Sequence, residues 1–134
     1  MNNLISVVVT CYNHEKYIEQ CLRSVFNQTY TNIELIVLDD GSTDSSTQII
    51  QEVLKDSPFE TRFETHENLG VVNNRNLGLE LIRGDYLLFV DSDNYLDADY
   101  VEQLYNKLTE TNADIVYCDL YNPEKEEKIG RAHV

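Results

Sequence analysis

The chain has 134 residues, a length that fits one domain with its own core and is too short for two ordinary domains. It carries 24 acidic and 10 basic residues, a formal net charge of -14, which disfavours nucleic acid or an anionic membrane as a direct partner. An anionic ligand would therefore need a bridging metal ion.

The cysteines and the hydropathy pattern indicate the compartment. Cys11, Cys21 and Cys118 form no Cys-x-x-Cys pair and are odd in number, so they predict neither a disulfide framework nor a zinc site. No apolar run reaches membrane-spanning length, and the first residues lack the pattern of a signal peptide. We expect a cytoplasmic protein without a transmembrane segment in this chain, at most peripheral at the inner face of the membrane.

The first half of the chain alternates strands and helices. Leu4 to Val9 predicts a strand that ends in the polar turn Thr10-Cys11-Tyr12-Asn13, where Asn13 is a candidate helix cap. The next helix is predicted from the apolar spacing of Ile18, Cys21, Leu22 and Val25. A second strand, Ile33 to Leu38, runs into the acidic tip Asp39-Asp40-Gly41-Ser42-Thr43-Asp44, and a helix with Ile49, Ile50, Val53 and Leu54 inward follows.

The middle of the chain predicts a weaker strand and an unusual helix. Phe59 to Thr65 has mixed alternation, which is typical of a strand near the edge of a sheet. The helix that begins near Val71 aligns Asn74 and Arg75 with Gly78 and Leu81, so its inward face is polar at the start and apolar at the end. Such a polar end indicates either a site or a solvated first turn.

Two carboxylates one residue apart follow the next strand. Tyr86 to Val90 are all apolar and predict a strand covered on both faces, after which alternation places Asp91 and Asp93 on the same side. Unit charges about 4 Å apart repel by roughly 4 kcal/mol at an effective dielectric near 20. Mg²⁺ or Mn²⁺ would relieve this repulsion, because these hard cations prefer oxygen ligands and substrate phosphates. An isolated Asp-x-Asp is also typical of a solvated turn that caps the next helix.

The last part of the chain completes the predicted fold. Asp97 is expected to cap a helix with Val101, Leu104 and Leu108 inward, and Ile115 to Cys118 predicts a short strand. The alternation predicts an α/β fold, a doubly wound, mostly parallel sheet with helices on both faces. We expect this domain to occupy residues 1–122, with residues 123–134 forming a charged tail or a cloning remnant.

Short motifs exclude some kinds of nucleotide-binding site and indicate another. The chain contains neither a Gly-x-x-x-x-Gly-Lys-Ser/Thr loop nor a Gly-x-Gly-x-x-Gly turn, which excludes P-loop and classical dinucleotide sites. Four other motifs, in order, resemble a family 2 glycosyltransferase of the GT-A fold, over roughly Ile5 to Tyr121. They are Ser6-Val7-Val8-Val9-Thr10-Cys11-Tyr12-Asn13, Val37-Leu38-Asp39-Asp40-Gly41-Ser42-Thr43-Asp44, Asn68-Leu69-Gly70 with Arg75-Asn76-Leu77-Gly78, and Asp91-Ser92-Asp93.

The resemblance implies a role for each of six residues. Thr10 and Tyr12 would contact the nucleoside, Tyr12 near the base, and Asp40 would accept a hydrogen bond from a uracil-type ring nitrogen. Asp91 would lie near the ribose and the metal, and Asp93 would coordinate the Mn²⁺ or Mg²⁺ that bridges the diphosphate. Arg75 would fix the acidic cluster or a phosphate oxygen. The implied donor is a nucleotide-diphosphate sugar, most simply a uridine diphosphate sugar, and the acceptor a glycan or glycoprotein.

Members of that family also carry a segment that supplies a carboxylate general base, and this chain is expected to stop before it. The general base therefore stays unknown, since His66 is expected in a loop remote from the strand tips and His133 in the tail. Asn94 and Asn74 also stand where the family often has aspartate and alanine. We expect the donor-binding, N-terminal portion of a larger transferase, which could form a homo-oligomer or continue into further domains.

Two other functions stay open. The chain could be a nucleotide-sugar binding or assembly module without turnover of its own. A receiver-like or phosphatase-like module fits less well, because such a phosphatase needs its Asp-x-Asp after the first strand and a receiver needs a lysine after the last. Transfer of a sugar, as opposed to binding, separates the first alternative from an enzyme.

Overall fold

The computed structural model describes residues 3–117, 120–122 and 127–129. Four strands and four helices alternate, followed by a short hairpin. In chain order the elements are β1 Ile5–Cys11, α1 Ile18–Phe26, β2 Ile33–Asp39, α2 Ser46–Val53 with a 3₁₀ turn Leu54–Asp56, β3 Glu60–Thr65, α3 Val71–Leu81, β4 Tyr86–Asp91, α4 Tyr100–Thr111, β5 Leu120–Asn122 and β6 Glu127–Ile129. The predicted α/β class is confirmed.

The main sheet is parallel and doubly wound. Its strand order is β3-β2-β1-β4, and every neighbouring pair is parallel, whereas β5 and β6 pair antiparallel in a separate hairpin. The chain moves from β1 toward β3 on one side and then returns to place β4 on the other side of β1. The strand order therefore reverses at β1, and the crevice between β1 and β4 is where such sheets bind ligands.

Two apolar layers cover the sheet. One contains the alternating β1 and β2 side chains that include Val7, Val9 and Val37, packed against α1, α2 and Val101 of α4. The other consists of Val8, Ile36 and Leu38 against α3. A Cβ on Gly78 would lie 3.0 Å from side-chain atoms of Leu38 and Val8, so glycine permits close packing of α3 on the sheet. Helices therefore lie on both faces, as the apolar runs predicted.

The two outer strands differ from their neighbours in burial. β3 lies at one edge, as its mixed alternation predicted, and its residues are exposed or half-buried. β4 lies at the other edge, which its apolar run did not indicate. Its first four residues are half-buried and only Val90 is buried. Burial is incomplete because, among the described residues, no strand lies on the outer side of β4, although both of its faces are covered.

Two predicted helix caps are wrong. α1 begins at Ile18 after Tyr17, and Asn13 has φ +54° and accepts the N–H of Thr43 at 2.7 Å, so it fixes the loop before α2. α4 begins at Tyr100 after Asp99, three residues beyond Asp97.

A side chain from another loop replaces the Asp97 cap. The buried Gln28 donates Nε2–H to the Asp97 carbonyl at 2.7 Å and accepts the Val101 N–H at 2.9 Å. The start of α4 is therefore fixed by a residue about seventy positions earlier in the chain.

The last predicted strand differs from the structure. Of the predicted strand from Ile115 to Cys118, only Tyr117 forms an isolated bridge, and Cys118 lies outside the described residues. Within the predicted tail, residues 127–129 form β6, while residues 123–126 and 130–134 lie outside the described part. Cys11 and Cys21 are buried free thiols. Among the described helices, none is long and apolar enough to cross a membrane.

Candidate functional site

A polar cleft of about 250 Å³ lies at the carboxyl ends of β1, β2 and β4. It brings together all six residues predicted from the sequence to bind substrate or metal. Its lining comprises Thr10, Cys11, Tyr12, His14, Asp40, Val71, Asn74, Arg75, Asp91 and Asp93. These residues come from four separate segments of the chain, so only the parallel arrangement of the strands places them in one cleft.

Asp91 is the centre of the acidic side of the cleft. Thr10 is its register partner on β1 and donates its hydroxyl to Asp91 Oδ1 at 3.3 Å, and Arg75 of α3 donates to the same oxygen at 3.1 Å. The Asp91 side chain is half exposed. One carboxylate oxygen is therefore held by the protein while the side chain keeps an open face toward the cleft.

Asp93 lies in the turn after β4 and is exposed to solvent. Ser92 between the two carboxylates is fully buried, with its N–H bonded to the Thr10 carbonyl at 3.0 Å, so Asp91 and Asp93 both face the cleft while Ser92 faces inward. The predicted alternation is confirmed at this position.

Asp91 and Asp93 could supply part of the ligand set of a hard divalent cation. Residues 3–117 and the hairpin strands contain no group of three His, Cys, Asp or Glu side chains that could enclose a metal ion. Mg²⁺ sites of the kind completed by substrate phosphates need only one or two protein carboxylates, the remaining ligands being waters and phosphate oxygens. Asp91 and Asp93 meet that requirement.

Asp40 lies at the opposite side of the cleft and is 4% exposed. Its Oδ1 accepts the Leu69 N–H at 2.7 Å and its Oδ2 accepts the Gly70 N–H at 3.1 Å. A carboxylate has about four lone-pair positions, so two backbone bonds orient Asp40 and leave it able to accept a further donor.

Asp39, its neighbour in sequence, has a structural role. It is fully buried, and its oxygens accept hydrogen bonds from the hydroxyls of Ser42, Thr47 and Thr65, with the Ser42 N–H as a fourth donor. Because four donors from three elements converge on it, Asp39 holds the β2–α2 loop and the end of β3 together and is absent from the cleft lining.

Arg75 links the acidic side to the sheet. Its guanidinium carbon lies 5.7 Å from the centre of the Phe89 ring, and its side chain is 43% exposed. Its Nε is buried without a hydrogen-bond partner among the described residues, although Nη2 bonds Asp91. The structure thus places Arg75 on the acidic cluster, one of its two predicted locations.

Four further residues of the cleft lining were not predicted as site residues: Cys11, His14, Val71 and Asn74. His14 follows the polar turn after β1, and its Nδ1 lies 2.5 Å from Ser92 Oγ. Val71 is 66% exposed and lines the same cleft as Tyr12, so an apolar side chain borders the polar groups. Asn74 is 2% exposed, and its polarity on the inward face of α3 was a signal that the sequence carried.

The predicted location of His66 is wrong. It follows β3 directly, so it lies at the strand tips, with Nε2 2.9 Å from Asn74 Oδ1 and Nδ1 3.6 Å from Asp40 Oδ1. The expectation of a remote loop overlooked that parallel strands bring all their carboxyl ends to one edge. His133 lies outside the described residues.

A second cavity, about 310 Å³, lies between β4 and α4. It is larger than the cleft, and its lining is mainly apolar, with Leu88, Leu104 and Ile115 among its residues. It contains none of the six predicted site residues. Convergent charged groups, rather than volume, therefore mark the polar cleft as the candidate site.

Comparisons with known proteins agree with the sequence motifs and with the fold. The family model described as glycosyl transferase family 2 matches residues 6–133. Glycosyltransferase GlyA of Streptococcus pneumoniae serotype 4 is 40% identical over 134 residues, which are 100% of this chain and 19% of that protein.

Two solved structures share the fold. The S. aureus TarS structure in complex with UDP-GlcNAc has a TM-score of 0.73 and 32% identity, covering 81% of this chain and 32% of that one. The mannosyltransferase PcManGT from Pyrobaculum calidifontis, in complex with GDP-Man and Mn²⁺, has a TM-score of 0.76 at 21% identity, covering 92% and 37%, and shows the fold alone. The chain thus spans less than half the length of each of these three relatives.

Proposed function

The chain belongs to glycosyl transferase family 2, whose model matches nearly all of it, and from this premise we propose that it binds the nucleotide-sugar donor of a metal-dependent glycosyltransferase. The donor is a uridine diphosphate sugar and the acceptor a glycan or glycoprotein. Residues 1–122 form the donor-binding domain. The observation that carries the proposal is the convergence of Thr10, Tyr12, Asp40, Arg75, Asp91 and Asp93 in one polar cleft at the strand-order reversal.

The Asp40 side of the cleft suits a nucleoside base. Tyr12 is about half exposed, Val71 is 66% exposed, and both line the cleft, so a planar ring can pack against their apolar surfaces. The Asp40 carboxylate accepts hydrogen bonds only, which favours a ring N–H donor such as that of uracil and disfavours an unprotonated ring nitrogen at the same position. The UDP-GlcNAc complex of TarS supports the choice of uridine.

The opposite side of the cleft suits the diphosphate. Asp91 and Asp93 would hold Mn²⁺ or Mg²⁺, and when bound the cation would offset the negative charge of the leaving diphosphate. Thr10 and Arg75 keep the Asp91 carboxylate in place through their hydrogen bonds to its Oδ1. In a chain of net charge -14, the cation and the Arg75 guanidinium would supply the positive charge that an anionic donor needs.

Thermal denaturation tests the binding. Uridine diphosphate with Mn²⁺ is expected to raise the melting temperature, and either alone much less, because phosphates and carboxylates repel without the cation. Ligand at about 100 times its dissociation constant adds roughly 2.7 kcal/mol, a rise of several degrees for a domain of this size. If uridine, guanosine, cytidine and thymidine diphosphates all leave the melting temperature unchanged in the presence of Mn²⁺, donor binding is rejected.

An assay of sugar transfer to glycan acceptors separates an enzyme from a binding module. Release of uridine diphosphate that depends on acceptor indicates turnover. This chain could bind the donor tightly and release no uridine diphosphate, while a longer protein that contains it does release uridine diphosphate. That result assigns donor binding to this portion and acceptor binding to the remainder.

A further inference from the structure

Both ring nitrogens of His66 face oxygen acceptors. Nδ1 lies 2.7 Å from the Glu67 carbonyl oxygen, and Nε2 lies 2.9 Å from Oδ1 of the buried Asn74. A neutral imidazole has one N–H donor, whereas the imidazolium has two. The arrangement therefore matches the protonated ring, and a neutral ring would give up one contact or turn the Asn74 amide.

The charges around His66 favour the same state. Asp40 and Asp39, at the end of β2, are the charged groups that face the ring, and Asp40 Oδ1 lies 3.6 Å from Nδ1. The residue that faces it from α3, Asn74, is neutral. Burial opposes protonation, but the Glu67 carbonyl, the Asn74 amide and the two carboxylates outweigh it and raise the pKa of His66 above its usual value.

His66 also begins the segment that orients Asp40. In this segment, residues 66–70, Leu69 and Gly70 donate the two N–H groups that hold the carboxylate, and Asn68 Nδ2 donates to the Asp40 carbonyl at 3.1 Å. The His66 contact with Asn74 fastens the start of this segment to α3, one wall of the cleft. Four of its contacts thus hold Asp40 and α3 in one arrangement.

We propose that the imidazolium of His66 is a positioning residue for base recognition: it ties the segment that orients Asp40 to α3, so the affinity for the nucleoside falls when His66 loses its proton. The inference rests on the proposed function, because Asp40 is taken to receive the base. His66 touches Asn74 and the backbone rather than the substrate, so its effect on binding passes through Asp40.

Uridine is the suitable probe, because it lacks the phosphates that titrate in the same pH range and needs no metal ion. The dissociation constant of uridine for the 134-residue chain, measured by NMR titration, is expected to rise roughly threefold to tenfold between pH 5.5 and pH 8.5. By linkage, bound uridine must raise the pKa of His66, which the ring proton resonance reports directly.

Two variants assign the pH dependence. His66→Gln keeps a donor for Asn74 but has no charge that changes with pH, so it should bind uridine more weakly at pH 5.5 and equally at both pH values. His14→Gln changes the histidine that lines the cleft and should retain the change in affinity with pH. Uridine diphosphate binding and melting temperature are measured for both variants.

The outcomes separate the two proposals. Uridine binding that is independent of pH in the parent, or a pH dependence that persists in His66→Gln, overturns the role of His66 while donor binding stands. A pKa of His66 that is the same with and without uridine overturns it even if His66→Gln fails to fold. Absence of binding by both uridine and uridine diphosphate at every pH overturns the proposed function, and the role of His66 with it.

Discussion

Replacement of Asp40 by asparagine tests both the packing and the recognition at this position. The parent carboxylate accepts the N–H groups of Leu69 and Gly70 on separate oxygens, while the buried side chain leaves little room to reorient. An asparagine has one oxygen, so its NH₂ group would face one of these N–H groups. The loss of that acceptor leaves a partly buried backbone N–H without its partner.

The expected magnitude follows from that unsatisfied donor, which costs about 1–3 kcal/mol. For a domain of 134 residues this lowers the melting temperature of the ligand-free protein by roughly 4–12 °C. Uridine diphosphate should also bind roughly tenfold or more weakly, because the ring N–H of the base loses its charged acceptor. The dependence on Mn²⁺ should survive, since Asp91 and Asp93 are unchanged.

The assays are thermal denaturation without ligand and calorimetric titration with uridine diphosphate at fixed Mn²⁺. Asp44→Asn is the matched control, because Asp44 also accepts two backbone N–H groups, from Ser46 and Glu15, but lies outside the cleft lining. It should lower the melting temperature and leave nucleotide affinity unchanged. If Asp40→Asn binds uridine diphosphate as tightly as the parent, its assignment to the base is wrong, and an unchanged melting temperature would refute the account of its packing.

Three other substitutions distinguish residues that bind the nucleotide from residues that stabilise the fold. Asp93→Asn should weaken nucleotide binding in Mn²⁺ without lowering the ligand-free melting temperature, because it removes one of two neighbouring negative charges; a clearly lower melting temperature with intact binding would identify a structural aspartate instead. Glu34→Gln should lower the free energy of unfolding by roughly 1–3 kcal/mol in chemical denaturation at neutral pH, and by less in acid. Burial opposes ionisation of Glu34, but hydrogen bonds from Ser6 and Arg83 outweigh it and lower the pKa of the carboxylate. The stabilisation by the ionised Glu34 is therefore present above about pH 4.5 and is lost as the pH falls through the lowered pKa. Gly41→Ala should lower the free energy of unfolding by at least about 1–2 kcal/mol, because Gly41 has φ +72°. The added Cβ would also lie 2.5 Å from the backbone nitrogen of Asn68, in the segment that orients Asp40, so nucleotide binding should weaken. Calorimetry that shows the parental affinity would contradict this.

The sequence by itself determined the alternation of elements and the position of the site. Runs of apolar residues that end in polar or acidic tips specify parallel strands locally, and parallel strands necessarily bring those tips to one edge of the sheet. The pair Asp91 and Asp93 could be selected from the sequence pattern for this reason. Thr10, Tyr12, Asp40 and Arg75 were selected from the resemblance to family 2 glycosyltransferases, and the structure brings all six residues into one cleft. Their individual roles remain predictions.

Tertiary structure alone decided which polar residues face the cleft and which hold the scaffold. Asp39 and Asp40 are both buried acids at one strand tip, and Asn13 and Asp97 both stand at plausible helix starts. What separates their roles are partners far away in the chain: Thr65 for Asp39, Leu69 for Asp40, Thr43 for Asn13, and Gln28, which replaces Asp97 as the cap of α4. The partner of His66, Asn74, is only eight positions away, but this contact also depends on tertiary structure, because it joins the residue that follows β3 to α3. Local periodicity reports which face of an element a residue occupies, whereas hydrogen bonds between distant segments depend on how the strands are ordered in the sheet.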